Sequence, residues 1–165
     1  MTRSMTSSLL LTTLLCTGTA AHADEMDTSK LYLGGSFSYN TIDSPFGGGS
    51  ADATGVQGFA GYKMATLEGG IHTSVELGIS QTGDFDHTDE SISGLWLAAV
   101  AEKDLPEISP NLSLLGRVGL DVGDDDGILT GVGVGYRLNR QLQLRGEFVN
   151  KDASNQYLAS LLIKL

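Results

Sequence analysis

The chain has 165 residues, among them 22 glycines and one cysteine, and carries 10 basic and 20 acidic side chains for a net charge of −10. That length suits one domain, and the acidic balance argues against nucleic acid as a partner. The single cysteine, Cys16, leaves no pair from which a disulfide within the chain can form.

The first 23 residues read as a secretory signal peptide. Arg3 supplies the positive start, Leu9 to Cys16 a short apolar core, and Ala21-His22-Ala23 a small-x-small cleavage site. Cleavage is expected between Ala23 and Asp24, leaving residues 24–165 as the barrel domain with a net charge of −11 once Arg3 is gone. The apolar core is shorter than the roughly 20 residues a spanning helix needs. Leu15 before Cys16 disfavours a lipidated cysteine, which follows a small residue.

After an acidic lead-in, Asp24 to Ser29, the rest of the chain shows period-two alternation and no sustained helical period. Eight strands are predicted, at Lys30–Asn40, Thr54–Tyr62, Gly70–Gln81, Ser91–Glu102, Asn111–Val122, Ile128–Leu138, Gln141–Asn150 and Gln156–Leu165. The segments between them carry turn chemistry, such as Asp43-Ser44-Pro45 and Gly123-Asp124-Asp125-Asp126-Gly127. An even strand count puts both termini in the periplasm. The outer loops are then about Thr41–Ala53, Thr82–Glu90, Gly123–Gly127 and Lys151–Asn155, and the inner turns about Lys63–Gly69, Lys103–Pro110 and Asn139–Arg140.

Which face is inside follows from residue size. Leu31, Leu33, Phe37, Val118, Leu120, Val132, Val134, Leu144, Phe148, Leu161 and Ile163 form one face; Gly34, Ser36, Ser38, Ser74, Gly78, Gly119, Gly131, Gly133, Gly135 and Ser160 form the other. A soluble barrel turns a charged exterior to water and its apolar side inward. Here the apolar band would aggregate in water, whereas lipid requires it. Small residues meanwhile suit the narrow interior of eight strands. The charges Glu76, Arg117, Asp121, Arg137, Arg145, Glu147 and Lys164 all fall on the small-residue face. A Lys or Arg facing the bilayer midplane costs about 2–4 kcal/mol, so this segregation is what a membrane strand demands. The expected fold is an all-β, eight-stranded antiparallel up-and-down transmembrane β-barrel in a Gram-negative outer membrane. Tyr39, Phe148 and Tyr157 fall toward its outer rim, Tyr62 and Tyr136 toward its inner one, as interfacial aromatics do. Strands two and four have no clear phase, because Phe59, Leu95 and Leu97 run out of step with Val56, Tyr62, Ile92 and Trp96.

With its opening strand Leu31-Tyr32-Leu33-Gly34-Gly35-Ser36-Phe37-Ser38-Tyr39, its eight-strand spacing and its closing strand from Tyr157 to Leu165, the chain resembles the small outer membrane protein A and X type barrels. The closing residue is Leu165, where that family usually ends in an aromatic read by the barrel-insertion machinery. The resemblance implies a charged, plugged lumen and roles from envelope integrity to adhesion. Partners on this reading are outer-membrane lipid and lipopolysaccharide, with the insertion machinery and periplasmic chaperones during biogenesis. The protein is expected to be a monomer.

Candidate chemistry is sparse. His72, Ser74 and Glu76 suggest an acyl-transfer system, and His72-Thr73-Ser74 is similar to the His-x-Ser of outer-membrane lipid A deacylases. These side chains share the inward face on the periplasmic side, however, away from an outer-leaflet substrate. No catalytic residue, metal ligand or cofactor site is assigned. The acidic stretches Asp84 to Glu90 and Gly123 to Gly127 lack the spacing of a calcium loop and read as solvated outer loops. Gly131, Gly133 and Gly135 read as clearance for bulkier lumenal neighbours such as Arg117 and Arg145. Glu76, Arg117, Arg145 and Glu147 are expected to form one charge network across the lumen, with Arg117 and Glu76 as direct partners. The leading reading is a structural or surface-interaction barrel without catalysis, against a lipid-A-modifying enzyme or a narrow pore.

Overall fold

The computed structural model describes residues 27–43, 50–84, 91–124, 126–152 and 154–165. A 3₁₀ turn, Thr28–Lys30, leads into eight strands: β1 Leu31–Asp43, β2 Ser50–Leu67, β3 Ile71–Thr82, β4 Ser93–Asp104, β5 Leu112–Gly123, β6 Gly127–Arg137, β7 Leu142–Asn150 and β8 Ser154–Lys164. Each pairs antiparallel with its chain neighbour, and β1 closes on β8 through Leu33↔Ile163 and Tyr39↔Tyr157. Closure leaves no free sheet edge, the condition for a β-structure to cross lipid. The expected signal peptide lies outside the described residues.

The largest departure from expectation is β2. It runs from Ser50 to Leu67, well past the expected Thr54–Tyr62 at both ends. The expected loop Thr41–Ala53 is shortened because β1 and β2 keep pairing as far as Asp43↔Ser50. At the other end the expected turn Lys63–Gly69 is mostly strand, with a register shift between Lys63 and Thr66. Only residues 68–70 turn, helped by the left-handed backbone of Gly69 and Gly70, φ 82° and 74°. Such irregularity hid the strand end, because a bulge breaks the alternation that marks a strand. Likewise β4 reaches Asp104, so the turn expected from Lys103 begins two residues later.

Facing follows residue size. Phe37, Ile79, Val122 and Val132 are 76%, 65%, 67% and 62% exposed and form the apolar outer belt. Tyr39, Tyr157 and Phe148 lie side by side on β1, β8 and β7, with the Phe148 and Tyr157 rings 5.2 Å apart. The two ambiguous strands also resolve. β2 turns Gln57 and Phe59 inward and Val56 outward; β4 turns Trp96, Ala98, Val100 and Glu102 inward and Leu95 and Leu97 outward.

Candidate functional site: the filled lumen

Inward side chains of an eight-stranded barrel reach across the axis, so residues far apart in sequence meet there. The four charges singled out from the sequence lie together. Arg117 Nη2 is 2.8 Å from Glu76 Oε2, and Arg117 Nε is 2.8 Å from Glu147 Oε2. Arg145 Nη1 lies 2.6 Å from the other Glu76 oxygen. Their side chains are at most 3% exposed. At such burial an ion stays charged only if its partners replace the lost hydration. Glu76 has three: both arginines and the Tyr32 hydroxyl, which donates to Oε1 at 2.6 Å and meets Ser74 Oγ at 2.9 Å.

Two members escaped the sequence analysis. Glu102 takes Arg145 Nη2 at 3.4 Å and accepts from Gln143 Nε2 at 2.7 Å and Ser113 Oγ at 2.6 Å. It sits on β4, whose phase was ambiguous, and so was not assigned to the lumen. Tyr32 alternates correctly with Leu31 and Leu33, but an aromatic on the small-residue face carries no sequence signal for a role there. Lys151, expected in an outer loop, instead turns inward and pairs with Asp121.

Beside the ions lies an apolar cluster that includes Phe59, Trp96, Leu129, Val149 and Leu158. The Phe59 and Trp96 rings are 5.6 Å apart, and the Arg117 guanidinium sits 5.2 Å from the Trp96 ring centroid. Glycine makes room for these rings. A Cβ at Gly34 would strike the Phe59 ring, one at Gly61 the Tyr32 ring, and one at Gly78 the Trp96 ring. Gly131 clears Arg117 as expected, at 3.0 Å from its Cγ. Gly133 in turn makes room for Glu147, and Gly135 for Ser113 and Gln143. On the loop side, beside the Asp121–Lys151 pair, the filling is neutral and polar, with Ser36 bonded to Ser160 at 2.7 Å and Gln57 to Gln156 at 3.1 Å.

The acyl-transfer candidates form no relay, because His72 is bonded away from Ser74 and Glu76, which share Tyr32. His72 Nδ1 meets Thr66 Oγ1 at 3.0 Å and its Nε2 lies 3.6 Å from Asp104, while Ser74 is bonded to Tyr32. All of them lie toward the end of the barrel that holds the termini. Of the acidic loops, residues 85–90 and 125 lie outside the described residues. Asp124 accepts from the Ser93 amide at 2.8 Å and hydroxyl at 2.9 Å, which hold its carboxyl below the usual carboxylate value.

This architecture has a family. The model of the outer membrane protein beta-barrel domain matches residues 7–157. The chain belongs to that family. Its members are outer-membrane barrels, so the apolar belt described above is the lipid-facing surface. Among solved structures, a de novo designed transmembrane β-barrel superposes with a TM-score of 0.60 at 17% identity, over 83% of this chain and 96% of that one. Neisserial surface protein A gives 0.57 at 18% identity, over 82% and 97%. Ail, the attachment invasion locus protein of Yersinia pestis, solved with the heparin analogue sucrose octasulfate, gives 0.50 at 12%, over 80% and 94%. At these identities the likeness shows the shared fold. No curated protein matches the chain.

Proposed function

We propose that this family member is a non-conducting, non-catalytic barrel that acts through its surfaces, as an envelope-structural or surface-interaction protein. The observation that carries the reading is the filled lumen. The Glu76, Arg117, Arg145 and Glu147 ion pairs span it, and the Phe59–Trp96 layer adjoins them. An ion or solute would have to break several buried charge pairs to pass. Catalysis on outer-leaflet lipid needs a nucleophile facing the bilayer near the loop end, whereas His72 and Ser74 point inward near the opposite end.

With the termini in the periplasm, the connections β1–β2, β3–β4, β5–β6 and β7–β8 are extracellular. These connections with the strand ends that flank them, residues 41–53, 82–90, 123–127 and 151–155, together hold ten carboxylates and one lysine, and that lysine, Lys151, is paired inside the barrel. Such a face attracts cationic partners, or divalent cations that bridge to lipopolysaccharide phosphates, and repels polyanions. The sulfated sugar held by Ail therefore has the wrong charge for this surface. Export through a cleaved signal peptide, delivery by periplasmic chaperones and the insertion machinery, and a monomeric state complete the proposal.

Planar-bilayer recording tests it. The wild-type protein should give no stepwise conductance, while Trp96→Ala combined with Arg117→Ala and Glu147→Ala should leak. Steady unitary currents from the wild type would overturn the closed-lumen reading.

A further inference from the structure

At the terminus end of the lumen lies a cavity of about 230 Å³. Seven of the eight strands line it, so it sits on the barrel axis. Four cations, Lys63, Arg137, Arg145 and Lys164, face two carboxylates, Glu102 and Asp104. Both arginines are engaged: Arg137 Nη1 with Asp104 at 3.2 Å, and Arg145 with Glu76 and Glu102. The lysines are not. Among the described residues neither Lys63 nor Lys164 has a carboxylate within 4.0 Å.

These two ammonium groups come from β2 and β8, are partly buried, and repel one another across the same recess. Elsewhere in this lumen every buried arginine has a carboxylate partner, so two adjacent cations without one stand apart. An arrangement of this kind costs stability when empty and gains from a bound anion. We propose that Lys63 and Lys164 form an anion site at the inner mouth of the lumen, which takes the phosphate group of a small soluble phosphomonoester. Lysine binds phosphate as a point charge, and two of them match the two charges of a monoester. The cavity exceeds the size of phosphate alone, and Met64 and Leu162 give the remainder an apolar wall. A phospholipid headgroup offers the same chemistry, but it would have to climb over the strand ends to reach an axial site.

The test uses the full mature barrel in maltoside micelles, titrated with inorganic phosphate and with glycerol 3-phosphate at constant ionic strength. Amide and lysine side-chain NMR signals of residues 61–66 and 162–165 should shift with one-site saturation. Lys63→Gln with Lys164→Gln should weaken binding at least tenfold, and should leave the barrel as stable or more so, since it removes a repulsion. Linear shifts, equal shifts with chloride, or unchanged affinity in the double variant would overturn the site. A second arm repeats the titration in nanodiscs with and without phosphatidylglycerol. Equal affinity supports a soluble ligand, whereas loss of phosphate binding in the anionic discs would overturn it and give the recess to lipid headgroups.

Discussion

Arg117→Met removes the guanidinium while keeping most of its length, so charge loss is separated from cavity formation. Arg117 is the sole ion-pair partner of Glu147 among the described residues, whereas Glu76 also holds Arg145 and Tyr32 at 2.6 Å each. The substitution therefore strands Glu147, and a buried charge left without its partner typically costs about 3–5 kcal/mol. Adding Glu147→Gln should restore about 0.5–3 kcal/mol, the usual size of coupling within one buried network. Adding Glu76→Gln instead should restore nothing and deepen the loss, because Arg145 then keeps only Glu102 at 3.4 Å. Glu147 rather than Glu76 is therefore the expected rescue partner, although Arg117 contacts both at 2.8 Å. The assay is urea unfolding in lipid vesicles, followed by Trp96, the only tryptophan, and checked by gel mobility so that local quenching is not misread as unfolding. Better rescue by Glu76→Gln than by Glu147→Gln, or strict additivity of all substitutions, would refute the assigned connectivity.

Gly78→Ala drives a methyl into the Trp96 ring and should cost about 1–3 kcal/mol, whereas Gly146→Ala, where a Cβ meets nothing within 4 Å, should be neutral or slightly stabilising; the same urea titration compares them. Val132→Arg places a charge on the lipid face and should cost about 2–4 kcal/mol near the midplane, and a loss below 1 kcal/mol would contradict the facing. Asp124 has its folded value depressed by Ser93, so its contribution is complete above the ordinary 3.8 and is lost as the pH falls through the lower folded value. The Ser93 amide signal should accordingly titrate with a midpoint below 3.8, and Asp124→Asn should abolish that titration. Protein purified from outer membranes should have the intact mass of a chain beginning at Asp24, and unboiled samples should run differently from boiled ones on a denaturing gel. Retained Met1 or identical mobility would contradict the processing and the closed barrel in turn.

Alternation along one strand is a local property, and for this chain it was enough to place all eight strands and the facing of six. Val118, Leu120 and Val132 must meet lipid and Arg117 and Glu147 must not, because a bilayer penalises charge whatever the neighbours are. The same logic assigns Glu76, Arg117, Arg145 and Glu147 to the lumen. It failed at β2 and β4, where Phe59 and Trp96 are large apolar residues that face inward among glycines. Within a strand an inward tryptophan looks like an outward one; only the facing Gly78 and the guanidinium of Arg117 make it fit. The tertiary structure alone also decided which acid serves which arginine. Arg117 lies 30 residues from Glu147 and 41 from Glu76, and the distances between them depend on the stagger with which eight strands close. Strand pattern specifies the wall of this barrel, and closure specifies what fills it.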